Sequence, residues 1–187
     1  MKTKIGPEFD LPTRDALGLT FVEMVRLYHR RSKYPSPLAF HRRISQKGRT
    51  MSSKRLLVVA HAPSPNTKRL LDAVLKGAAS PDISGVETVH KPPLEAGPDD
   101  VMAANAIILG TTENLGYMSG ALKDFFDRTY YAVLEEKQGL PYCIYIRAGH
   151  DGTGTRRGVE TIVTGLRWRA VQEPLVLRGD WQEDFVP

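Results

Sequence analysis

The chain has 187 residues, of which 41% are hydrophobic, enough for one core of ordinary size and too few for two well-buried domains. No run approaches the roughly 18 consecutive apolar residues of a membrane span, and the N-terminus lacks the apolar stretch of a secretory signal, so a soluble, cytoplasmic protein is expected. The lone cysteine, Cys143, excludes an intrachain disulfide and a cysteine-based metal cluster, and reads either as a small core residue or as a reactive thiol. The net charge of +5 is lopsided. Residues 1–50 carry 11 basic and 4 acidic side chains, whereas 51–187 carry 15 and 17, so the basic character belongs to the leader and the remainder is close to neutral.

Within that leader, residues 14–31 place Leu17, Phe21, Met24, Val25 and Tyr28 at helical spacing beside Arg26, Arg30 and Arg31. The run YPSP at 34–37 breaks helices, and the basic run around Arg42, Arg43, Lys47 and Arg49 reads as solvated. Residues 1–50 are therefore expected to be an extension outside the folded domain, to dock on an anionic partner or an organelle importer, or to pack on the core. The stretch MSSKR at 51–55 has the look of a chain start followed directly by a strand.

From residue 54 onward short apolar runs alternate with helical segments, the signature of a parallel sheet with crossover helices. The run LLVVA at 56–60 suits a strand buried on both faces. A helix follows over 67–79, with Leu70, Leu71, Val74 and Leu75 on one side. Residues 86–89 form a weak second strand, and AIIL at 106–109 a strong third one ending at Gly110. The clearest helix covers 119–134, with Leu122, Phe125, Phe126 and Tyr130 inward. A fourth strand at 142–146, a helix at 156–168 and a short strand at 174–177 complete a β-α-β-α-β-α-β-α-β order.

Open α/β sheets bind ligands beyond the carboxyl ends of their strands, at the point where the strand order switches, so the loops after strands one, three and four matter most. The first, HAPSPNT at 61–67, offers the side chains of Ser64, Asn66 and Thr67 together with a helix N-terminus. That combination suits a phosphate, or it is an ordinary helix cap closed by Ser64 or Asn66. The second loop, GTTENLGYMSG at 110–120, is long for a strand-to-helix connection, which usually takes about two to six residues. Its backbone around Thr111, Thr112, Asn114 and Gly116 suits the polar edge of a planar ring and Tyr117 offers an aromatic face, or its glycines merely permit a turn and a helix start. The third, AGHDGTG at 148–154, is dense enough in glycine for a backbone to approach a ligand closely, or it is simply flexible.

The string AIILGTTENLGYMSGALKDFFDRT at 106–129 resembles the flavodoxin-like NAD(P)H-dependent FMN and quinone reductases, whose pattern G-[TS]-P-x-x-x-G-x-x-[SA]-x-x-[LM]-K-x-F-[LIF]-D-R follows the third strand. The match is specific over about 20 contiguous residues, is supported by SPNT at 64–67, and extends over 54–178 but not over the leader. It implies a flavodoxin-like doubly wound five-stranded parallel sheet in the order 2-1-3-4-5. It also implies that Ser64, Asn66 and Thr67 hold the FMN phosphate. Thr111, Thr112, Glu113, Asn114, Leu115, Gly116 and Tyr117 would line the isoalloxazine ring, and Gly149, His150, Asp151 and Gly152 would close its other side. Thr112 departs from the pattern, standing where many relatives have proline. The chain also ends at Pro187, too soon for the final helix that normally covers one sheet face. That face is expected to be partly bare unless the leader or a second subunit covers it.

On this reading FMN carries hydride from NAD(P)H to a quinone or a second flavin, with His150 as the one candidate catalytic side chain, and His61 as structural. A homodimer pairing through the helix after the second loop is expected by analogy. A flavodoxin-type electron carrier or a flavin-free binding module would use the same fold. A phosphorylated receiver domain would need acidic residues where HAPS stands at 61–64. Nucleic acid is an improbable partner, since basic and aromatic residues do not interleave.

Overall fold

The computed structural model describes residues 53–186; the helical pattern at 14–31 and the basic run after it lie outside the described residues. The apolar run beginning at Leu56 forms β1 (Lys54–Ala60), whose last residues are buried on both sides of the sheet. It leads through a tight loop into α1 (Pro65–Ala78), then β2 (Val86–Lys91) and the short α2 (Pro98–Ala103). This short helix occupies the place topology required between strands two and three. Next come β3 (Ala106–Asn114), β4 (Tyr117–Met118), α3 (Gly120–Val133), β5 (Pro141–Ala148) and α4 (Thr153–Gly165). Two short strands, β6 (Arg169–Ala170) and β7 (Leu175–Arg178), and a 3₁₀ turn at Glu183–Phe185 close the described chain.

The sheet runs β2-β1-β3-β5, and β6 and β7 both pair in parallel with β5, so the expected last strand exists but is split along one edge. The split falls at residues 171–174, where Pro174 removes a ladder donor. The order is the expected 2-1-3-4-5 once the hairpin arm β4 is set aside and β6 and β7 are counted as one strand. All the pairs along this path are parallel, from Lys54 opposite Val86 to Thr112 opposite Arg147.

Because side chains alternate along a strand, the two faces bury different sets. Leu57, Val59, Ile107, Leu109, Tyr142, Ile144 and Ile146 pack under α2, α3 and α4, where Phe125, Phe126, Leu122, Val159 and Val163 meet them. Leu56, Val58, Ile108, Cys143 and Tyr145 pack on the other face under α1, against Leu70, Leu71 and Val74. Cys143 is therefore a core residue, and burial raises its thiol pKa well above the ordinary range, which removes thiolate chemistry at neutral pH.

No α-helix follows β7 among the described residues, yet the face is not bare. The tail itself covers it. Phe185 is buried in the core beneath α1, with Trp181 and Val186 packed beside it. The Trp181 and Phe185 rings meet edge-on at 5.6 Å, and the guanidinium of Arg147 lies 5.5 Å from the Phe185 centroid. Arg69 on α1 donates to both carboxylate oxygens of Glu183, at 2.6 and 3.1 Å, and stacks over Trp181 at 5.0 Å. That bidentate partner pulls the Glu183 carboxyl down to about 2. Truncating Phe185 to alanine should therefore lower unfolding stability by about 3 kcal/mol, because the ring leaves a cavity under α1. A denaturant midpoint equal to that of the wild-type chain would show that the tail lies on the sheet without holding it.

Candidate functional site

The strand order reverses between β1 and β3: the chain leaves β1 outward to β2 and returns across it to β3. The carboxyl ends of these strands, with that of β5, bring together the three loops singled out in the sequence.

The first loop turns at His61, whose N–H donates to the Gly110 carbonyl at 3.0 Å and so ties β1 to β3. Ser64 caps α1. Its Oγ accepts from the Thr67 N–H at 3.3 Å, while the Ser64 N–H donates to Thr67 Oγ1 at 2.8 Å, a reciprocal box. Thr67 Oγ1 also donates to the Ser64 carbonyl at 2.9 Å, and Thr67 is buried. The cap and the phosphate reading are thus not exclusive, but they divide the residues. Thr67 is committed inward as a brace, Ser64 Oγ lies 3.0 Å from Thr67 Oγ1 within the cap, and the Asn66 amide makes no bond among the described residues. Pro65 removes one N–H at the first helical position, and no acidic residue stands in the first turn, so the positive end of α1 is unopposed.

The second loop is mostly not a loop. β3 runs on to Asn114 and turns back through Leu115 and Gly116 into β4, with Glu113 opposite Met118 and Asn114 opposite Tyr117. The apolar pattern stops at Gly110 although β3 pairs with β5 as far as Thr112, because its polar threonines leave no core signature, and only Glu113 and Asn114 overhang the sheet. Leu115 and Gly116 have φ of 53° and 74°, the left-handed pair of a two-residue hairpin turn. Leucine at such an angle is unfavourable, and this one is wholly exposed at the tip.

The hairpin is seated on α4. A Cβ on Gly154 would lie 2.0 Å from the Gly116 carbonyl oxygen, and one on Gly158 would lie 2.4 Å from the Tyr117 ring. Two glycines four residues apart thus form a shallow groove that admits the hairpin backbone. Tyr117 has one side against that groove and remains 39% exposed. At the hairpin base, Thr111 Oγ1 accepts from the Ser119 N–H at 3.1 Å and bonds Ser119 Oγ, and Ser119 in turn caps α3 through the Leu122 N–H at 3.2 Å.

The third loop is shorter than expected, because α4 begins at Thr153 and Gly154 is already helical. Its backbone donors are partly taken. Glu113 Oε2 accepts from the His150 N–H at 2.8 Å and Oε1 from the Gly152 N–H at 3.2 Å. Asp151 Oδ1 accepts from the Thr153 N–H at 2.8 Å, which holds its carboxyl below the usual range. The loop thus brings His150 and Gly152 against Glu113, while Asp151 bonds back to Thr153 and Gly149 makes none of these contacts.

Among the described residues, five buried side-chain atoms lack a hydrogen-bond partner. Three of them, His61 Nδ1, Thr112 Oγ1 and Thr155 Oγ1, belong to the first loop, the end of β3 and the first turn of α4. Unmet buried polar atoms are costly, and their gathering at this edge fits a polar ligand. Burial also lowers the His61 pKa, and that of His90 on β2, from 6.5. The folded state then favours the neutral rings, so the unfolded chain binds more protons and stability falls as pH drops below about 6.5. Urea midpoints should be lower at about pH 5.5 than at about pH 7.5, and replacing both histidines with glutamine should flatten the difference. An equal pH dependence in that double variant would place the effect elsewhere.

The sequence reading missed the hairpin arm β4, the seat at Gly154 and Gly158, and the tie made by Glu113. Glycines four apart are visible in GTRRG at 154–158, but with Gly154 assigned to the loop and Gly158 to the helix at 156–168 their shared face did not show.

Comparison with known proteins adds the family context. A 112-residue stretch is 30% identical to the flavodoxin of Aquifex aeolicus (strain VF5) and covers 60% of each chain, so this chain spans three fifths of that relative's length. An archaeal flavodoxin superposes with a TM-score of 0.57 at 19% identity, over 70% of this chain and 88% of that one. The apo form of an NADH:FMN oxidoreductase superposes with a TM-score of 0.51 at 16% identity, over 67% and 76%. No family model matches the sequence. The fold is flavodoxin-like.

Proposed function

We propose that this chain is an FMN-binding electron-transfer protein that takes hydride from NAD(P)H and passes it to a quinone or flavin acceptor. The observation that carries the reading is the convergence of an acid-free helix N-terminus, an overhanging hairpin and a glycine-bearing loop at the strand-order switch, with unmet buried polar atoms beside them at His61, Thr112 and Thr155. The residues fit an amphipathic ligand with a phosphate at one end and a polar planar ring at the other. Ser64 Oγ, with the side-chain amide and backbone N–H of Asn66 at the start of α1, suits the phosphate, with Thr67 bracing the cap. At the opposite end Glu113 of the hairpin and Asp151 of the loop present carboxylates that repel a phosphate, which fixes the orientation of the ligand.

When bound, FMN supplies the hydride chemistry. The chain's part is to bind, orient and exclude water. The hairpin from Thr111 through Thr112, Asn114, Leu115 and Gly116 to Tyr117 walls one side of the ring, and the loop 149–152 walls the other. The exposed His150 side chain would donate a hydrogen bond to the ring's polar edge.

The 30% identity to a protein named flavodoxin favours a second reading, a carrier that exchanges electrons with protein partners and has no reductase activity of its own. The near-neutral balance of residues 51–187 speaks against an acidic carrier face. Absorbance of protein mixed with FMN, desalted, and then given NADPH under nitrogen separates the two. Retained flavin that bleaches supports the reductase; retained flavin that stays oxidised supports the carrier; folded protein without flavin sinks both. Pairing of two copies through α3 belongs to the same proposal, and Tyr131, 85% exposed on that helix, supports it. A monomer mass by light scattering would set the pairing aside.

A further inference from the structure

We propose that Glu113 is a positioning residue that locks the hairpin to the glycine-bearing loop before any ligand arrives, so that both walls of the ring site are set in the free protein. The inference rests on the FMN reading above and deepens it.

From β3 the carboxylate reaches two residues of one loop, 37 and 39 positions further along the chain, accepting from His150 N–H at 2.8 Å and Gly152 N–H at 3.2 Å. Hydrogen bonds to an ionised acceptor are the stronger kind, and two on one carboxylate fix direction as well as distance. The loop needs such a tie. Gly149 and Gly152 free its backbone, and Gly152 sits at φ 73°, so an untethered loop would sample many conformations. The hairpin needs one too. Its turn holds Leu115 at φ 53°, an angle that leucine adopts only when its surroundings impose it. Gly154 and Gly158 hold the hairpin from the α4 side, and Glu113 holds its base from the loop side. The two walls therefore form one unit.

The same geometry assigns a selectivity. Two of the loop's N–H groups are spent on Glu113, so a bound ring must find its partners at other donors, and an anionic group is turned away from this end of the site.

The test uses the full chain with Glu113→Ala, Glu113→Gln and Glu113→Asp, and reads two quantities. In ligand-free protein, amide hydrogen exchange at His150 and Gly152 should quicken about tenfold in Glu113→Ala, while amides of α3 keep their protection. Glutamine, which keeps the length and one acceptor oxygen, should restore part of that protection, and aspartate, one methylene short, should restore less. FMN affinity, followed by quenching of flavin fluorescence, should weaken about tenfold in Glu113→Ala and recover in the same order. Unchanged exchange at His150 and Gly152 in Glu113→Ala would overturn the lock. Faster exchange with unchanged FMN affinity would overturn its role in positioning. Wild-type protein that protects both amides yet binds no FMN would overturn the flavin reading and leave the lock standing.

Discussion

Alanine at Gly154 is expected to abolish flavin retention and to destabilise the protein by about 2 kcal/mol, a reversal of the usual effect of this change. Within a helix, glycine to alanine ordinarily adds up to about 1 kcal/mol of stability, because alanine loses less backbone entropy. Here the new Cβ would lie 2.0 Å from the carbonyl oxygen of Gly116, and a backbone atom cannot swing aside as a side-chain tip would. The hairpin must lift off α4. Lifting it moves Tyr117 and Met118, loosens the turn at Leu115, and carries Glu113 away from His150 and Gly152. FMN affinity should fall by about two orders of magnitude, since a site displaced by about 1 Å loses most of its complementarity. Circular dichroism should show the helices intact. A variant more stable than the wild-type chain, with flavin binding unaltered, would mean that the hairpin does not sit where α4 receives it.

The largest loss of stability is expected from Phe126→Ala, at about 3 to 5 kcal/mol in denaturant unfolding. Phe126 is 1% exposed and stands between Phe125, at 5.5 Å centroid to centroid, and Trp168, at 6.4 Å. Its removal opens a cavity in the main core that these rigid rings cannot refill. Coupling follows from the same geometry. The double change with Trp168→Ala should cost less than the two single losses added together, because each removes part of the other's packing. Additive losses would mean that the rings contribute independently.

These two residues also show what could be read in the sequence and what could not. The stretch LKDFFDR at 122–128 carried much of the resemblance, and its residues are chiefly architectural. Leu122, Phe125 and Phe126 are core. Arg128 pairs with Asp124 at 2.7 Å and donates to the carbonyls of Ala96 and Pro93 at 2.8 and 2.7 Å, pinning the segment before α2. Helical spacing and continuous apolar runs report burial directly, which is why the main strands and the three long helices were legible, whereas the sheet order followed from the resemblance.

Elements without that signature were not. β4 is two residues long, α2 only six, and the overhanging end of β3 is polar. The covering of the sheet by Phe185 was hidden for another reason: it depends on one aromatic ring placed by a long-range contact between Arg69 and Glu183. In the site, residue types pointed to the right loops but not to the division of labour within them. Thr67 and Glu113 were read as ligand contacts, and the structure shows that each makes bonds within the protein, Thr67 to the cap and Glu113 to the neighbouring loop. Such roles rest on geometry between distant segments, which composition does not record.

The most direct test of the central claim is a map of backbone amide shifts as FMN is added to the full chain. The account predicts changes concentrated at 64–67, 111–117 and 149–152, with riboflavin reproducing the last two groups and sparing the first. Shifts confined to other surfaces, or none at saturating FMN, would contradict it.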